Sequence, residues 1–308
     1  MATTDATSQA RGDNLPLGIL FAVISVFFFG VMAVFVKKTG EAGYPISQVL
    51  FFRNLGALPV LAAVIAQSGG LSSLHTRHPL RHLMRSTIGL IAMALVFSSM
   101  TLLPLADATA LMFAAPLFIT TFSVPLLGER VGMHRWTAVL IGFAGVAVMA
   151  QPTGEISTLG LVVALGGAFF QAMAMITVRY LNRTESPAAI IGYFTVFILV
   201  LSAIACVFMG WRPPSGADLA MLLALGLCGG TAQYFLTLSY RKAPAALIGL
   251  FNYSSILWAT LFGFVFFDDV PALPVVGGAA VVIASGSYIT YREVARHRRV
   301  RAVDLPET

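Results

Sequence analysis

Long apolar segments recur along this chain, and they constrain its fold more than any other feature of the sequence. A helix of about 20 residues, rising 1.5 Å per residue, is long enough to cross the hydrocarbon core of a bilayer. The chain is 58% hydrophobic and only 10% charged, so it has too few charges to cover the surface of a soluble protein of 308 residues. The sequence therefore predicts an all-α polytopic membrane protein with ten transmembrane helices. The predicted spans are residues 17–36, 46–66, 83–103, 104–127, 133–150, 158–178, 188–210, 217–238, 243–266 and 271–291.

The distribution of Lys and Arg predicts how these spans are oriented. If both termini are cytoplasmic, fifteen of the 19 Lys and Arg residues lie in cytoplasmic segments. The opposite side holds only Lys37, Lys38 and Arg212, and Arg53 lies inside the second span. A bias of this size across short loops is the positive-inside signal. We therefore expect a cytoplasmic N-terminal tail (1–16) and a basic cytoplasmic C-terminal tail (292–308), and we attribute the net charge of +6 to topology rather than to nucleic-acid binding.

The two halves of the chain resemble each other. The stretch LGILFAVISVFFFGVMAVFVK from residue 17 is similar to LGLVVALGGAFFQAMAMITVR from residue 159. Each half contains five predicted spans, an odd number, so the second half is inverted relative to the first. We expect a first repeat over 17–150 and a second over 158–291. Inverted repeats commonly enclose a binding site near the bilayer midplane, although a duplication retained for packing alone is the alternative.

The segment PLADATALMFAAPLFITTFSVPLLGERVGMHRWTAVLIGFAGV, which begins at residue 104, resembles the EamA branch of the drug/metabolite transporter superfamily. The resemblance extends over the whole chain. The segment YPISQVLFFRNLGALPVL is similar to bacterial members with an FFR pattern in the second span. The chain departs from the family in one respect, since Phe29-Gly30 replaces the usual Trp-Gly of the first span.

This resemblance implies a secondary transporter in the bacterial inner membrane that moves a small organic metabolite by alternating access and uses no cofactor. Export of an amino acid or a related compound is the expectation. Uptake of a vitamin or cofactor-like solute, such as riboflavin or S-adenosylmethionine, is the alternative, and a channel is the alternative of another class. The sequence contains no HExxH, GxSxG or nucleotide-binding loop, so an enzyme is not expected. The expected partners are the metabolite and the lipid bilayer, with a monomer expected and a homodimer as the alternative.

Arg53 and Asp107 are the charged residues most in need of an explanation. Charges inside a membrane are costly and usually face a cavity or a partner. Arg53 lies seven residues inside the second span, and Asp107 lies near the start of the fourth, on the same predicted side of the membrane. An ion pair between them would lower the cost of burial. Snorkelling of Arg53 and its contact with substrate are the alternatives, and Asp107 is a candidate for proton coupling.

Several uncharged residues inside spans are candidates for the cavity. Hydrogen bonding or packing between helices is the simpler explanation for each polar or aromatic residue. The resemblance implies that substrate lies among the first, fourth, sixth, eighth and ninth spans, which favours a cavity role. Pro116 should kink the fourth span, because proline donates no backbone hydrogen bond, and could act as a gate hinge. The candidate cavity residues are Phe113, Gln171, Gln233, Asn252 and Tyr253, together with Arg53.

Overall fold

The protein is a bundle of membrane-spanning helices. The structure, a computed structural model, describes residues 14–127, 133–149, 157–181, 184–242, 248 and 251–303. Within them, seven helical segments are long and apolar enough to cross a bilayer, and three shorter apolar helices complete a set of ten. The prediction of an all-α polytopic membrane protein is confirmed. The helices are α1 (Leu15–Glu41), α2 (Ile46–Leu55), α3 (Leu58–Gln67), α4 (Pro79–Leu102), α5 (Leu105–Met112), α6 (Ala114–Leu127), α7 (Met133–Met149), α8 (Thr158–Leu181), α9 (Pro187–Met209), α10 (Gly216–Lys242), α11 (Ser255–Phe267) and α12 (Leu273–Val303).

Two of the predicted spans are interrupted within the membrane. A turn at Gly56 separates α2 from α3, and the second span is therefore not the continuous helix that the sequence predicted. A turn at Phe113 separates α5 from α6 in the fourth span. Each interruption lies three residues before a proline, Pro59 or Pro116, which cannot donate to the carbonyl four residues earlier. The role of Pro116 as a gate hinge stays a prediction.

The ninth span is also interrupted, by a turn at Tyr253 and Ser254 that precedes α11. Ser254 donates its backbone N–H to the carbonyl of Phe251, at 3.0 Å, as in a tight turn. The fourth and ninth spans occupy the same position in their respective repeats. Both halves of the chain therefore break the helix at a corresponding place. Most of the predicted ninth span before residue 251 lies outside the described residues.

The packing of the helices follows the internal repeat. The most extensive contacts join α1 to α10, α4 to α8, and α7 to α12. In terms of spans these pairs are the first with the eighth, the third with the sixth, and the fifth with the tenth. Exchanging the halves converts the first pair into the second and leaves the third pair unchanged. This is the pattern expected when an approximate two-fold axis relates the two halves.

Small residues bring α7 and α12 close together at this axis. A Cβ atom added to Gly278 would lie 2.5 Å from the carbonyl oxygen of Gly145. The hydroxyl of Ser285 donates to the carbonyl of Ala138, which adds a hydrogen bond between the same two helices. Such small-residue contacts are a common basis of helix association in membranes, where no hydrophobic effect separates lipid from protein.

Hydrogen bonds and ion pairs connect the two halves at one end of the bundle, which we name the Arg212 face. Lys37 forms an ion pair with Asp269. The Tyr44 hydroxyl donates to Asp218, at 2.7 Å, and the Gln48 amide both donates to and accepts from the backbone of Arg212, at 2.9 and 3.2 Å. Burial and the bond to Asp218 raise the pKa of Tyr44 above its ordinary value of 10.0. Each contact joins a residue of the first half to one of the second.

The opposite end of the bundle, named the His82 face, has its own contacts between the halves. His82 Nε2 lies 3.2 Å from the carboxylate of Glu185, and the two side chains are only 2% and 4% exposed. The Ser186 hydroxyl donates to the carbonyl of Ser73, at 2.5 Å. The ring of Tyr193 lies 4.6 Å from that of His82. The loops that meet at each face are those that should lie on the same side of the membrane if successive spans run in opposite directions. Assignment of the His82 face to the cytoplasm stays a prediction.

The contact between α7 and α12 generates a test of packing. Replacing Gly278 by Ala should destabilise the protein by about 1–3 kcal/mol, because the new methyl group would press on backbone atoms. Gly277 is the matched control, since a Cβ atom there would meet nothing within 4 Å. Gly277→Ala should be neutral or slightly stabilising, as alanine favours helix over glycine. Unfolding of the purified protein in mixed micelles measures both, and equal stability of the two variants would contradict the packing described.

The His82–Glu185 pair generates a test of pH dependence. Burial alone would raise the pKa of Glu185, but hydrogen bonds from Thr76 and His82 and the charges of His82 and His78 outweigh it, and the pKa lies below its ordinary value of 4.5. A depressed pKa contributes stability that is complete above about pH 4.5 and is lost as the pH falls through the folded-state pKa. Glu185→Gln should therefore be less stable than wild type at pH 7, and the difference should shrink below about pH 4.5.

Thermal unfolding of wild type and variant between pH 3 and 8 would measure this effect. Glu41→Gln is the control, because Glu41 is exposed at the end of α1. A stability difference between wild type and Glu185→Gln that stayed constant across this range would contradict the assigned role of the carboxylate.

Candidate functional site

The interruptions of the fourth and ninth spans meet between the two halves. Phe113, which is 8% exposed, ends α5, and Tyr253 lies at the turn before α11. Their ring centroids are 5.0 Å apart, with the rings inclined at 68°. The Tyr253 hydroxyl reaches α12 at Gly286, where an added Cβ atom would collide with it. The structure therefore brings together two of the predicted cavity residues, which are separated in sequence by 140 residues.

An aromatic cluster lies between α1 and α11. The ring of Phe27 is 4.9 Å from that of Trp258 and 6.0 Å from that of Phe262. Trp258 and Phe262 are one helical turn apart and their rings are 5.6 Å from each other. Gly30, one turn beyond Phe27, allows this close approach, because a Cβ atom there would lie 3.0 Å from the ring of Phe262. We call Phe27, Trp258 and Phe262 the Phe27 triad.

An equivalent cluster lies between α6 and α8. The ring of Phe169 is 5.7 Å from that of Phe118 and 5.4 Å from that of Phe122. We call these residues the Phe169 triad. The offset of 140 residues that relates Phe113 to Tyr253 also relates Phe118 and Phe122 to the corresponding members of the Phe27 triad. Two-fold equivalence therefore extends from helix packing to individual aromatic side chains.

Arg53 lies in the last turns of α2, at the boundary with α10. It is 7% exposed, and its Nη1 donates to the Oδ1 of Asn54, at 3.1 Å. Asn54 is held in turn by donation from Nδ2 to the carbonyl of Leu50, at 2.8 Å. Nε of Arg53 has no hydrogen-bond partner among the described residues. A Cβ atom on Gly229 of α10 would lie 3.5 Å from this Nε, an ordinary contact distance, so the guanidinium packs beside this glycine.

Asp107 is the predicted partner of Arg53. It lies in the first turn of α5 and is 4% exposed. The hydrogen bond that the structure gives Arg53 goes instead to Asn54, the next residue in the chain. The Arg53–Asp107 pair therefore stays a prediction, as does the coupling role of Asp107.

The three predicted amide residues are partly buried and lie on different helices. Gln233 is one turn beyond Gly229 on α10, and therefore on the side of that helix that Arg53 contacts. Gln171 follows Phe169 by two residues on α8, and Asn252 precedes Tyr253 at the interrupted ninth span. Their contact with a substrate stays a prediction.

Arg85 is a partly buried charged residue that the sequence interpretation assigned to a cytoplasmic segment. In the structure it lies inside α4, with its guanidinium carbon 4.3 Å from the centroid of the Phe194 ring. Its Nε and Nη1 are buried and have no hydrogen-bond partner among the described residues. The sequence does indicate a position inside a helix, because residue 85 falls within the predicted span 83–103.

Other kinds of site find little support in the part of the chain that the structure describes. It contains no group of three or more His, Cys, Asp or Glu residues that could hold a metal ion. An apolar groove of about 440 Å³ lies between α4 and α9 near the His82 face, lined by Leu83, Ser86, Tyr193 and Phe197 among others. This groove is distinct from the region around Phe113 and Tyr253.

Comparison with known proteins gives consistent matches over most of the chain. The EamA-like transporter family matches residues 16–151 and again residues 158–291. A riboflavin transporter of Rhizobium johnstonii is 30% identical, over 92% of this chain and 94% of its own length. A pseudopaline exporter, CntI, of Pseudomonas aeruginosa is 29% identical, over 88% of this chain and 95% of its own. A crystal structure at 21% identity shares the fold, with a TM-score of 0.63 over 92% of this chain and 99% of that one.

The contact between Phe113 and Tyr253 generates a double-mutant cycle. Replacing both residues by Leu should show a coupling free energy of about 0.5–1.5 kcal/mol, the range for aromatic pairs. Phe208, which is 84% exposed at the end of α9, provides the control, and Phe208→Leu should be additive with Phe113→Leu. Unfolding in mixed micelles measures the cycle. Additivity of Phe113→Leu with Tyr253→Leu would show that the rings do not interact.

Proposed function

The chain belongs to the EamA-like transporter family, and we propose that it is a secondary transporter that moves a small organic metabolite across the bacterial inner membrane by alternating access. The observation that carries this proposal is the equivalence of the contacts between the halves. The Phe27 triad and the Phe169 triad are built alike, and Phe113 meets Tyr253 where the two interrupted spans approach each other.

Equivalent contacts supply what alternating access requires. If each half can adopt the conformation of the other, the inward-open and outward-open states have similar energies. A modest difference in substrate affinity between the two states can then shift their populations. The interrupted helices supply flexible points beside the site, and Pro116 is the proposed hinge of the fourth span. The contacts at the Arg212 face and the His82 face would then open in turn. Both termini are proposed to be cytoplasmic, which the charge bias of the loops supports.

The substrate is proposed to be a flat or amphipathic organic molecule. Two aromatic triads between the halves provide surfaces on which a planar ring could stack. The riboflavin transporter among the relatives makes riboflavin the first compound to test. The buried cation at residue 53 supports a second candidate, export of an amino-acid-derived metabolite, and the pseudopaline exporter among the relatives is consistent with export. The residues proposed to line the cavity are Arg53, Phe113, Gln171, Gln233, Asn252 and Tyr253, with Asp107 as the proposed proton-coupling group.

Counterflow in proteoliposomes tests the function. The purified chain should catalyse saturable uptake of a labelled compound from a panel of riboflavin, S-adenosylmethionine and amino acids, accelerated by the same compound inside. Tyr253→Leu should lower the rate or affinity roughly tenfold, equivalent to about 1.4 kcal/mol. Phe208→Leu, on an exposed surface, should leave transport unchanged. If transport is coupled to protons, a pH gradient should drive accumulation in wild type but not in Asp107→Asn.

The competing channel hypothesis predicts a different result. A pore gives flux that rises in proportion to concentration and shows no counterflow. Flux of that kind, with the protein folded and inserted, would replace the carrier proposal by a facilitator. Saturable counterflow with an Asp107→Asn variant that still responds to the pH gradient would remove Asp107 from the mechanism and leave the carrier proposal in place.

A further inference from the structure

Two arginines, Arg53, which is buried, and Arg85, which is partly buried, lie at structurally equivalent boundaries between the halves. Arg53 lies between α2 and α10, where the second span packs on the eighth. Arg85 lies between α4 and α9, where the third span packs on the seventh. Exchanging the first and second halves converts one of these boundaries into the other. Each boundary therefore contains one guanidinium with buried nitrogen atoms.

The two arginines lie at similar depths below opposite faces. Arg53 follows the start of α2, at the Arg212 face, by seven residues, or about 10 Å along the helix. Arg85 follows the start of α4, at the His82 face, by six residues, or about 9 Å. Each is adjacent to a glycine, and these glycines, Gly229 and Gly89, are separated by the same 140 residues that relate Phe113 to Tyr253.

The equivalence is hidden in the sequence because the two arginines come from non-equivalent helices. At the boundary between α2 and α10 the guanidinium is supplied by the second span. At the boundary between α4 and α9 it is supplied by the third span. Comparison of the repeats places Thr195 opposite Arg53 and therefore finds no counterpart in the second half. Both arginines belong to the first half, and only the fold shows that their surroundings correspond.

Each guanidinium retains buried donors that the protein does not use. Nε of Arg53, and Nε and Nη1 of Arg85, have no hydrogen-bond partner among the described residues. A buried donor without an acceptor is costly. Lys37 shows the contrasting arrangement, since Asp269 neutralises its ammonium group. Carboxylate and phosphate oxygens are the acceptors that best match the paired N–H groups of arginine.

We propose that Arg53 and Arg85 are two equivalent anion-binding positions, one below each face, which receive the carboxylate or phosphate group of a small organic solute. Their part in transport rests on the function proposed above, because alternating access would open Arg53 toward the Arg212 face and Arg85 toward the His82 face. The substrate class is thereby narrowed to organic anions that carry an apolar or aromatic portion. The anionic group binds an arginine and the apolar portion contacts the aromatic triads.

Binding of matched probes to the full chain tests this proposal. The protein is placed in nanodiscs of zwitterionic phosphatidylcholine, so that anionic lipid does not compete. The probes are phenylacetate, phenyl phosphate and the neutral phenylacetamide, at constant ionic strength. At least one of the two anions should bind roughly tenfold more tightly than the amide, and the preferred one identifies carboxylate or phosphate as the recognised group.

Variants assign the binding to the two arginines. Arg53→Gln and Arg85→Gln should each weaken anion binding roughly tenfold at its own position, and the double variant should bind anion and amide alike. Arg77→Gln is the matched control, because it removes the same charge from an exposed position near the His82 face. If a Gln variant fails to fold, Arg53→Lys and Arg85→Lys retain the charge but lose the planar fork, and should weaken binding of the anions selectively.

Two results would overturn the proposal. One is equal binding of the amide and both anions by wild type. The other is anion binding by the double variant, or by both Lys variants, as tight as that of Arg77→Gln. Because these measurements need no transport, their failure would leave the carrier proposal standing. A protein that bound anions selectively but gave no counterflow would instead contradict the carrier proposal alone.

Discussion

The bilayer supplies no water to the backbone, and this constraint underlies the whole structure. Every N–H and C=O group within the hydrocarbon must find its partner inside the protein, which is why apolar segments of this kind form helices. A helix can be interrupted in the membrane only where protein surrounds the freed groups. The turns at Gly56 and Phe113 satisfy this condition, since α10 packs against the first and Tyr253 against the second. The interruptions therefore mark the interior of the bundle.

The internal repeat makes the arrangement of these helices and their interruptions approximately symmetric. Because each half has an odd number of spans, corresponding residues lie at opposite depths. The aromatic triads and the two arginines at the boundaries between the halves both follow this rule. The triads do so through equivalent residues, whereas the arginines do so through different helices at equivalent boundaries.

The number, length and type of the spans could be predicted from the sequence, because the thickness of the bilayer sets how many consecutive apolar residues a spanning helix needs. The sequence predicts only that Phe113 and Tyr253 line the same cavity. Their direct ring contact could not be predicted, because it depends on how the interrupted helices approach each other. The turn at Gly56 was not predicted, although Pro59 follows it closely, because prolines are common in uninterrupted membrane helices as well. The sequence groups Arg85 with the loop that precedes its span. Its contact with the ring of Phe194 could not be predicted, because Phe194 lies more than a hundred residues away in the chain.

The placement of both of these arginines in the first half has an electrical consequence. Arg53 and Arg85 are fixed charges below opposite faces, and neither has a basic counterpart at the same repeat position in the second half. A charge that moved across the whole membrane potential would gain or lose about 2.3 kcal/mol for each 100 mV. Under the proposed alternating access, the first half would carry its guanidinium groups through part of that field as it rocks against the second. An anion bound at either proposed position would offset the charge that moves, so the loaded and empty carriers should respond differently to voltage.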